Sequence, residues 1–233
     1  MDLPPLLRGT LIRRYQRFMV DVRLQNGHMV TAHCANTGSM RACCEPGRTV
    51  FLSRHNSLSR RLAYSFELIE MPTSLVGVNT AVPNRLVREA IIAGKIRPLS
   101  GYENVRREVP YGTNSRIDLL LENKQGGRCF IEVKNCTLVE DGVASFPDAV
   151  TTRGLKHLVE LQQQVHRGDR CVMFYLIQRM DAKLFRPADS IDPAYGTALR
   201  AAVQQGVEIM VYDVKIDMEK IELRRPIPFD LSL

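Results

Sequence analysis

The sequence predicts a mixed α/β protein in two units: a small OB-like β-barrel over residues 1–76, then a mixed sheet with flanking helices over 77–233. Three observations predict it. Up to about residue 72, short strand-like runs are separated by turn residues. Residues 116–134 read as an apolar hairpin carrying charged groups. From about residue 153, helix-like and strand-like segments alternate, the rhythm of parallel strands joined by right-handed crossovers.

Within the first unit, Gly9 to Arg14 and Arg17 to Leu24 form one pair, and Asn26-Gly27 is a hairpin turn leading into His28 to Cys34. Thr49 to Arg54 and Ala63 to Met71 complete about five strands. A five-stranded OB barrel closes so few strands without a large core, and its strand face and loops accept single strands. An SH3-like barrel fits almost as well. The polar stretch Cys34 to Arg41, with Asn36 and Gly38, reads either as a loop that holds phosphate or sugar or as a plain connection. Met71 to Thr80 reads as the link to the second unit.

That second unit opens with a helix over Asn84 to Ile96, where Leu86, Val87, Ala90 and Ile91 recur at helical spacing. Tyr102 to Tyr111 reads as a strand before the hairpin. Arg153 to His166 is helical, with Leu155, Leu158, Val159 and Val165 as its buried stripe. The nearly continuous apolar run Cys171 to Gln178 reads as a strand covered on both faces. A helix over Pro193 to Gln205, a buried strand over Val207 to Val214 and an edge strand over Glu219 to Pro226 complete the order.

The 233 residues are 45% apolar and 24% charged, ordinary for a globular protein. No apolar run approaches the roughly 18–20 residues that span a bilayer. The N-terminus lacks the basic-then-apolar order of a secretory signal, so a cytoplasmic, membrane-free protein is expected. The six cysteines (Cys34, Cys43, Cys44, Cys129, Cys136 and Cys171) are then expected as thiols, not a disulfide framework. His28, His33, Cys34, Cys43 and Cys44 crowd together, but without a Cys-X2-Cys pair buried thiols are favoured over a zinc site. Of the net charge of +7, +5 falls in residues 1–80, which hold ten arginines, no lysine and five acids. Arginine's planar fork suits phosphate. Arg13, Arg14, Arg17, Arg41, Arg60 and Arg61, with Asn36 of the polar loop, are the candidate nucleic-acid contacts of this unit.

The chemistry concentrates in the hairpin. Folding it near Gln125 opposes Glu122 to Arg128, Leu120 to Phe130, Asp118 to Glu132 and Arg116 to Lys134. Asp118, Glu132 and Lys134 then share one face, while Ile117, Leu119, Ile131 and Val133 fill the other. A slip of one residue would bury the acids among the aliphatics, so the apolar pattern selects this register. Two opposed carboxylates on a covered sheet repel and desolvate, and something cationic must offset them: Lys134 or a divalent metal. A cross-strand ion pair on a solvated face is the plainer alternative. Asp, then Glu-X-Lys on the next strand, is also the core of the PD-(D/E)XK nuclease signature. On that reading Asp118, Glu132 and the Val133 carbonyl hold Mg2+ or Mn2+, and Lys134 orients water or stabilises the phosphate. Glu89, on the preceding helix, would assist. On the following helix Arg153, Lys156 and His157 would contact the phosphate backbone, or else form a solvated face with a Lys156–Glu160 pair.

His33-Cys34-Ala-Asn-Thr-Gly-Ser-Met40, Ser115-Arg-Ile-Asp118 with Ile131-Glu-Val-Lys-Asn135, and Phe146-Pro-Asp-Ala-Val-Thr-Thr-Arg-Gly-Leu-Lys-His157 together resemble the sugar fermentation stimulation protein A family of bacteria and archaea. The resemblance runs the length of the chain. It implies an N-terminal OB-like domain and a C-terminal PD-(D/E)XK nuclease-like domain. It also implies binding of DNA, single- or double-stranded, without marked sequence preference, and a regulatory role in maltose metabolism; a homodimer is left open. Ile117 stands where the nuclease superfamily's name expects proline, a position that tolerates variation.

Overall fold

The computed structural model describes residues 1–56 and 60–232. Six strands build the first unit: β1 (Leu6–Tyr15), β2 (Met19–Leu24), β3 (Met29–His33), β4 (Thr49–Arg54), β5 (Tyr64–Met71) and β6 (Ser74–Gly77). Their order is β3-β2-β1-β4-β5-β6, and a parallel pairing of β3 with β5 (Ala32 to Tyr64, His33 to Ser65) closes the first five into a barrel. This is the OB arrangement, which sets the SH3-like alternative aside. Leu11, Val20, Val22, Val50, Leu52 and Phe66 fill the barrel. Gly9 has no room for a side chain: a Cβ there would lie 2.5 Å from Val22 Cγ1 and 2.9 Å from the Arg23 carbonyl oxygen.

Two expectations for this unit are corrected. Arg17 lies in the β1–β2 turn, where Gln16 and Arg17 both take positive φ, and not in a strand. Met71 to Thr80 is not a bare link, since β6 pairs antiparallel with β5 through a tight turn at Met71–Ser74.

The second unit comprises α1 (Val82–Ile92), β7 (Asn104–Tyr111), β8 (Ser115–Glu122), β9 (Arg128–Cys136), β10 (Leu138–Glu140), β11 (Val143–Phe146), α2 (Thr152–His166), β12 (Arg170–Ile177), β13 (Leu184–Pro187), α3 (Pro193–Gln204), β14 (Glu208–Ile216) and β15 (Ile221–Pro226). Its main sheet runs β15-β14-β12-β9-β8-β7, with β12 parallel to both β9 and β14 and the other pairs antiparallel. Helix α1 covers one face over Leu119, Leu121, Ile131 and Val172. Helices α2 and α3 cover the other over Leu120, Phe130, Met173 and Tyr175. Gly94, at φ +66, ends α1 four residues before Ile96 would have. The small sheet β10-β11-β13 was not anticipated, because three- and four-residue strands carry too little alternation to read.

The stripe expected on α2 is also corrected. Val159 is 51% exposed, while His157, Glu160 and Gln164 are buried beside Leu158 and Leu161. The helix turns polar groups inward because it packs over the charged end of β9.

The two units interlock. The Gly77 amide donates to the Gln178 carbonyl at 2.9 Å, and Gln178 Nε2 donates to Asn135 Oδ1 at 2.7 Å and the Asn79 carbonyl at 3.2 Å. Arg179, 3% exposed, donates to the Ala42 and Thr137 carbonyls, one from each unit. None of the described helices is long and apolar enough to cross a membrane.

Candidate functional site

Strands β8 and β9 pair in the expected register from Glu122–Arg128 to Leu119–Ile131. Beyond that point the side chain of Asp118 replaces the backbone partner, and the Val133 amide donates to Asp118 Oδ2 at 2.8 Å. Asn84, in the first turn of α1, donates to Asp118 Oδ1 at 2.6 Å. Ile117 does not join Leu119 and Ile131 as expected; it packs with Leu120 and Phe130 on the α2 side. The strict alternation along β8 fails at Asp118, whose pairing with Glu108 (φ +51) is missing from the β7–β8 ladder while the register on either side is unchanged.

Glu132, 2% exposed, projects from the centre of β9. Its Oε1 accepts from Lys134 Nζ at 2.7 Å and from His157 Nδ1 in a short contact. Arg153 Nε donates to His157 Nε2 at 3.3 Å. Because a guanidinium has no acceptor, the imidazole proton faces Glu132. Glu132 Oε2 is buried with no hydrogen-bond partner.

These contacts split the two acids electrostatically. Burial first, then the negative charge of Glu132, push the Asp118 carboxyl up to about 6, against the opposing pull of the Val133 amide and Lys134. Burial would raise Glu132 too, but the hydrogen bond from His157 and the charge of Lys134 outweigh it and hold the group below the usual carboxylate range. The Tyr111 hydroxyl, also buried without a partner, is raised by burial and by Glu132, Glu160 and Asp118, so it stays protonated.

Asp118, Glu132, Val133 and Lys134 line one cavity of about 350 Å3 between the units, and Asn36 and Arg153 share its wall. Asn36 arrives through the 34–41 loop, which both units brace. Arg14 donates to the Asn36 and Gly38 carbonyls at 2.9 Å each, and Asp148 Oδ2 accepts from the Met40 amide at 3.0 Å and Ser39 Oγ at 3.2 Å. Arg14 is thus spent on backbone carbonyls instead of presenting its fork to a phosphate. Arg13 is paired with Asp21 at 2.7 Å, and Lys156 Nζ donates to the Thr113 carbonyl at 2.7 Å. Arg17, Arg41, Arg60 and Arg61 are exposed on the barrel.

Glu89 is not brought to the cavity. It points to the opposite side of α1, pairing with Arg85 at 2.8 Å and the N-terminal ammonium at 3.8 Å. Asn84 takes the helix's place at the site. Sequence reasoning passed over Asn84 and Asp148; Pro83-Asn84 as a helix start beside the hairpin was the available signal for the former, and nothing local marks the latter.

Among the described residues no cluster of three or more His, Cys, Asp and Glu side chains is set to hold a metal. The six cysteines are free, five of them buried. Two carboxylates, one with an unpartnered buried oxygen, beside a polar cavity nevertheless suit a cation of the Mg2+ type. Such ions take one or two carboxylates and keep several waters.

Comparison with known proteins finds two family models along the chain. Residues 12–78 match the family model of the SfsA N-terminal OB domain, and residues 81–220 that of the sugar fermentation stimulation protein RE domain. A sugar fermentation stimulation protein homolog from Geobacter sulfurreducens is 56% identical over 229 residues, 98% of each chain. One from Citrifermentans bemidjiense is 54% identical over 229 residues, 98% of this chain and 99% of the relative. The structure of Pyrococcus furiosus SfsA in complex with Ca2+ superposes with a TM-score of 0.90 at 25% identity, covering 99% of this chain and 98% of that one. Agreement of this extent over both units means that the chain belongs to the sugar fermentation stimulation protein family.

Proposed function

We propose that this protein binds DNA without marked sequence preference and hydrolyses its phosphodiester bonds at the cavity between its two units. The observation that carries the reading is the buried, unpartnered Oε2 of Glu132 beside Asp118, on adjacent strands with Lys134. Asp118, Glu132 and the Val133 carbonyl would hold a divalent cation, Mg2+ or Mn2+. The relative from Pyrococcus furiosus with Ca2+ bound supports a divalent site in this fold. When bound, the cation supplies an activated water and stabilises charge on the phosphate.

The chain's own residues do the rest. Asn84 and the Val133 amide aim the Asp118 carboxylate, and His157 and Lys134 keep Glu132 ionised. Lys134, two residues along the same strand, offers an ammonium to the attacked phosphate. Arg153 at the rim suits a neighbouring phosphate oxygen. The test is a cleavage screen of single-stranded and duplex DNA and RNA with Mg2+ and Mn2+. Wild type should cut DNA, and Asp118→Ala and Lys134→Ala should not; no cleavage of any form, or equal cleavage by the variants, overturns it.

One observation favours a second reading, a non-catalytic DNA-binding regulator linked to maltose metabolism. Lys134 already sits 2.7 Å from Glu132 Oε1, giving the acid an internal cation. DNA binding that is salt-dependent but indifferent to chelator, with no cleavage, would select it.

A further inference from the structure

A second cavity, of about 790 Å3, opens at the end of the barrel, and its lining is mostly apolar. Phe18 of the β1–β2 turn and Met19 at the start of β2 line it, with Leu62 just before β5, Phe66 within β5, and His33 at the end of β3. Phe18 is 48% exposed, an aromatic ring left in solvent. Arg60 and Arg61 flank it; Arg60 Nη1 rests 3.4 Å from Ser65 Oγ. Arg13 and Arg48 of the barrel pair with acids, but among the described residues Arg60 and Arg61 pair with none. An apolar slot with an aromatic wall and two uncompensated guanidiniums at its edge is complementary to one chemistry: a flat base with phosphates on either side.

This slot shares a wall with the candidate catalytic cavity. Ala35, Asn79 and Ala81 line the slot, while their neighbours Asn36 and Thr80 line the other cavity. Thr80 Oγ1 donates to the Ala35 carbonyl at 3.0 Å and forms the partition. A strand whose phosphate reaches Asp118 and Glu132 therefore has the slot beside its path.

We infer that the barrel slot receives an unpaired nucleobase of the same strand, stacked against Phe18, with Arg60 and Arg61 on its flanking phosphates, and that the substrate is single-stranded DNA. A base inside a duplex cannot enter without leaving its stack, so duplex is disfavoured. The inference rests on the proposed function for its substrate class. Its test uses binding alone, in chelator where no cation-dependent cutting occurs, so the two fail separately.

The experiment measures affinity of the full chain for a fluorescent twelve-residue single strand and for its duplex in EDTA at fixed salt. Wild type should prefer the single strand. Phe18→Leu, and separately Arg60→Ala with Arg61→Ala, should weaken single-strand binding about tenfold and duplex binding less than twofold. Equal weakening of both forms, or of neither, overturns the inference and leaves the slot to another occupant such as a peptide. A single strand carrying 2-aminopurine gives a readout on wild type alone. Its fluorescence should be quenched on binding by stacking on Phe18, and unchanged emission overturns the inference whatever the variants do.

Discussion

Asn84 holds Asp118: its amide nitrogen lies 2.6 Å from Asp118 Oδ1, so the first turn of α1 and the hairpin meet at one carboxylate. The Val133 amide occupies the other oxygen. Asp118 is therefore aimed by two fixed donors on two different elements before any ligand arrives, which is how a site is preorganised.

Replacing Asn84 by Ala should cost about 1–2 kcal/mol of stability, since a partly buried charged acceptor loses a donor. Cleavage should fall with it. Glu89→Ala, which removes only partly exposed pairs with Arg85 and the N-terminus, should change stability by no more than about 0.5 kcal/mol and leave cleavage intact. Urea unfolding and initial cleavage rates check both. A silent Asn84→Ala beside an inactive Glu89→Ala would reverse the assignment of the two residues.

The raised Asp118 pKa has a signed consequence for pH. The folded value of about 6 lies above the unfolded value of 3.8, so the protonated acid is favoured by folding and its contribution is complete below about pH 4. That contribution is lost as pH rises through 6, when the buried carboxylate ionises. Asp118→Asn removes the penalty, and should be more stable than the metal-free wild type at pH 8 by roughly 1–3 kcal/mol, at about 1.4 kcal/mol per pKa unit. The gap should shrink toward pH 5. Divalent-ion affinity of the wild type should run the other way, rising from pH 5 to pH 7 as the carboxylate forms, and calorimetric titration with Ca2+ measures it. A stability gap independent of pH would contradict the assignment.

Much of this site was legible because a hairpin buried on both faces has only one register that keeps its acids away from the aliphatics. Leu119–Ile131 and Leu120–Phe130 pair as the pattern requires. The errors have particular causes. Strict alternation along β8 misplaces Ile117, because it carries the pattern through Asp118, where the pairing with β7 is missing and Asp118 bonds Asn84 and the Val133 amide instead. Glu89 was chosen for its side-chain type, although Asn84 sits at the helix end nearest the hairpin. On helix α2, Leu155, Leu158 and Val165 face the core as expected, but Val159 does not, and His157, Glu160 and Gln164 turn inward, because polarity marks a solvated face only when no charged strand lies beneath. Arg14 and Asp148 illustrate what no local pattern conveys: Asp148 meets the Met40 amide across 108 residues of chain.

Lys134 and Glu132 should be coupled. Lys134→Met leaves the buried Glu132 charge with His157 as its remaining partner, and should cost about 2–4 kcal/mol and abolish cleavage. Adding Glu132→Gln removes the stranded charge, so the double variant should regain much of that stability while staying inactive. Guanidinium unfolding of the four proteins in the cycle gives the coupling directly. Additive losses would mean that the 2.7 Å contact contributes nothing to folding.

The brace on the 34–41 loop makes a last prediction, about Gly38. A Cβ at Gly38 would lie 2.7 Å from Asp148 Oδ2 and 3.0 Å from Asn36 Oδ1, so the loop is pressed against the carboxylate that holds it. Gly38→Ala must therefore push Asp148 away from the Met40 amide and Ser39 hydroxyl, with an expected loss of about 1–3 kcal/mol. Asp148→Ala loses the same two hydrogen bonds outright. Once Asp148 is truncated, most of the space that the new methyl needs is open, so Gly38→Ala in that background should cost about 1 kcal/mol less than in wild type. Asn36 Oδ1 keeps the relief from being complete. Because the loop places Asn36 in the cavity wall, both single variants should also slow DNA cleavage through looser binding, raising KM more than they lower kcat. Equal costs of Gly38→Ala in the two backgrounds would show that the clasp between the units does not run through Asp148.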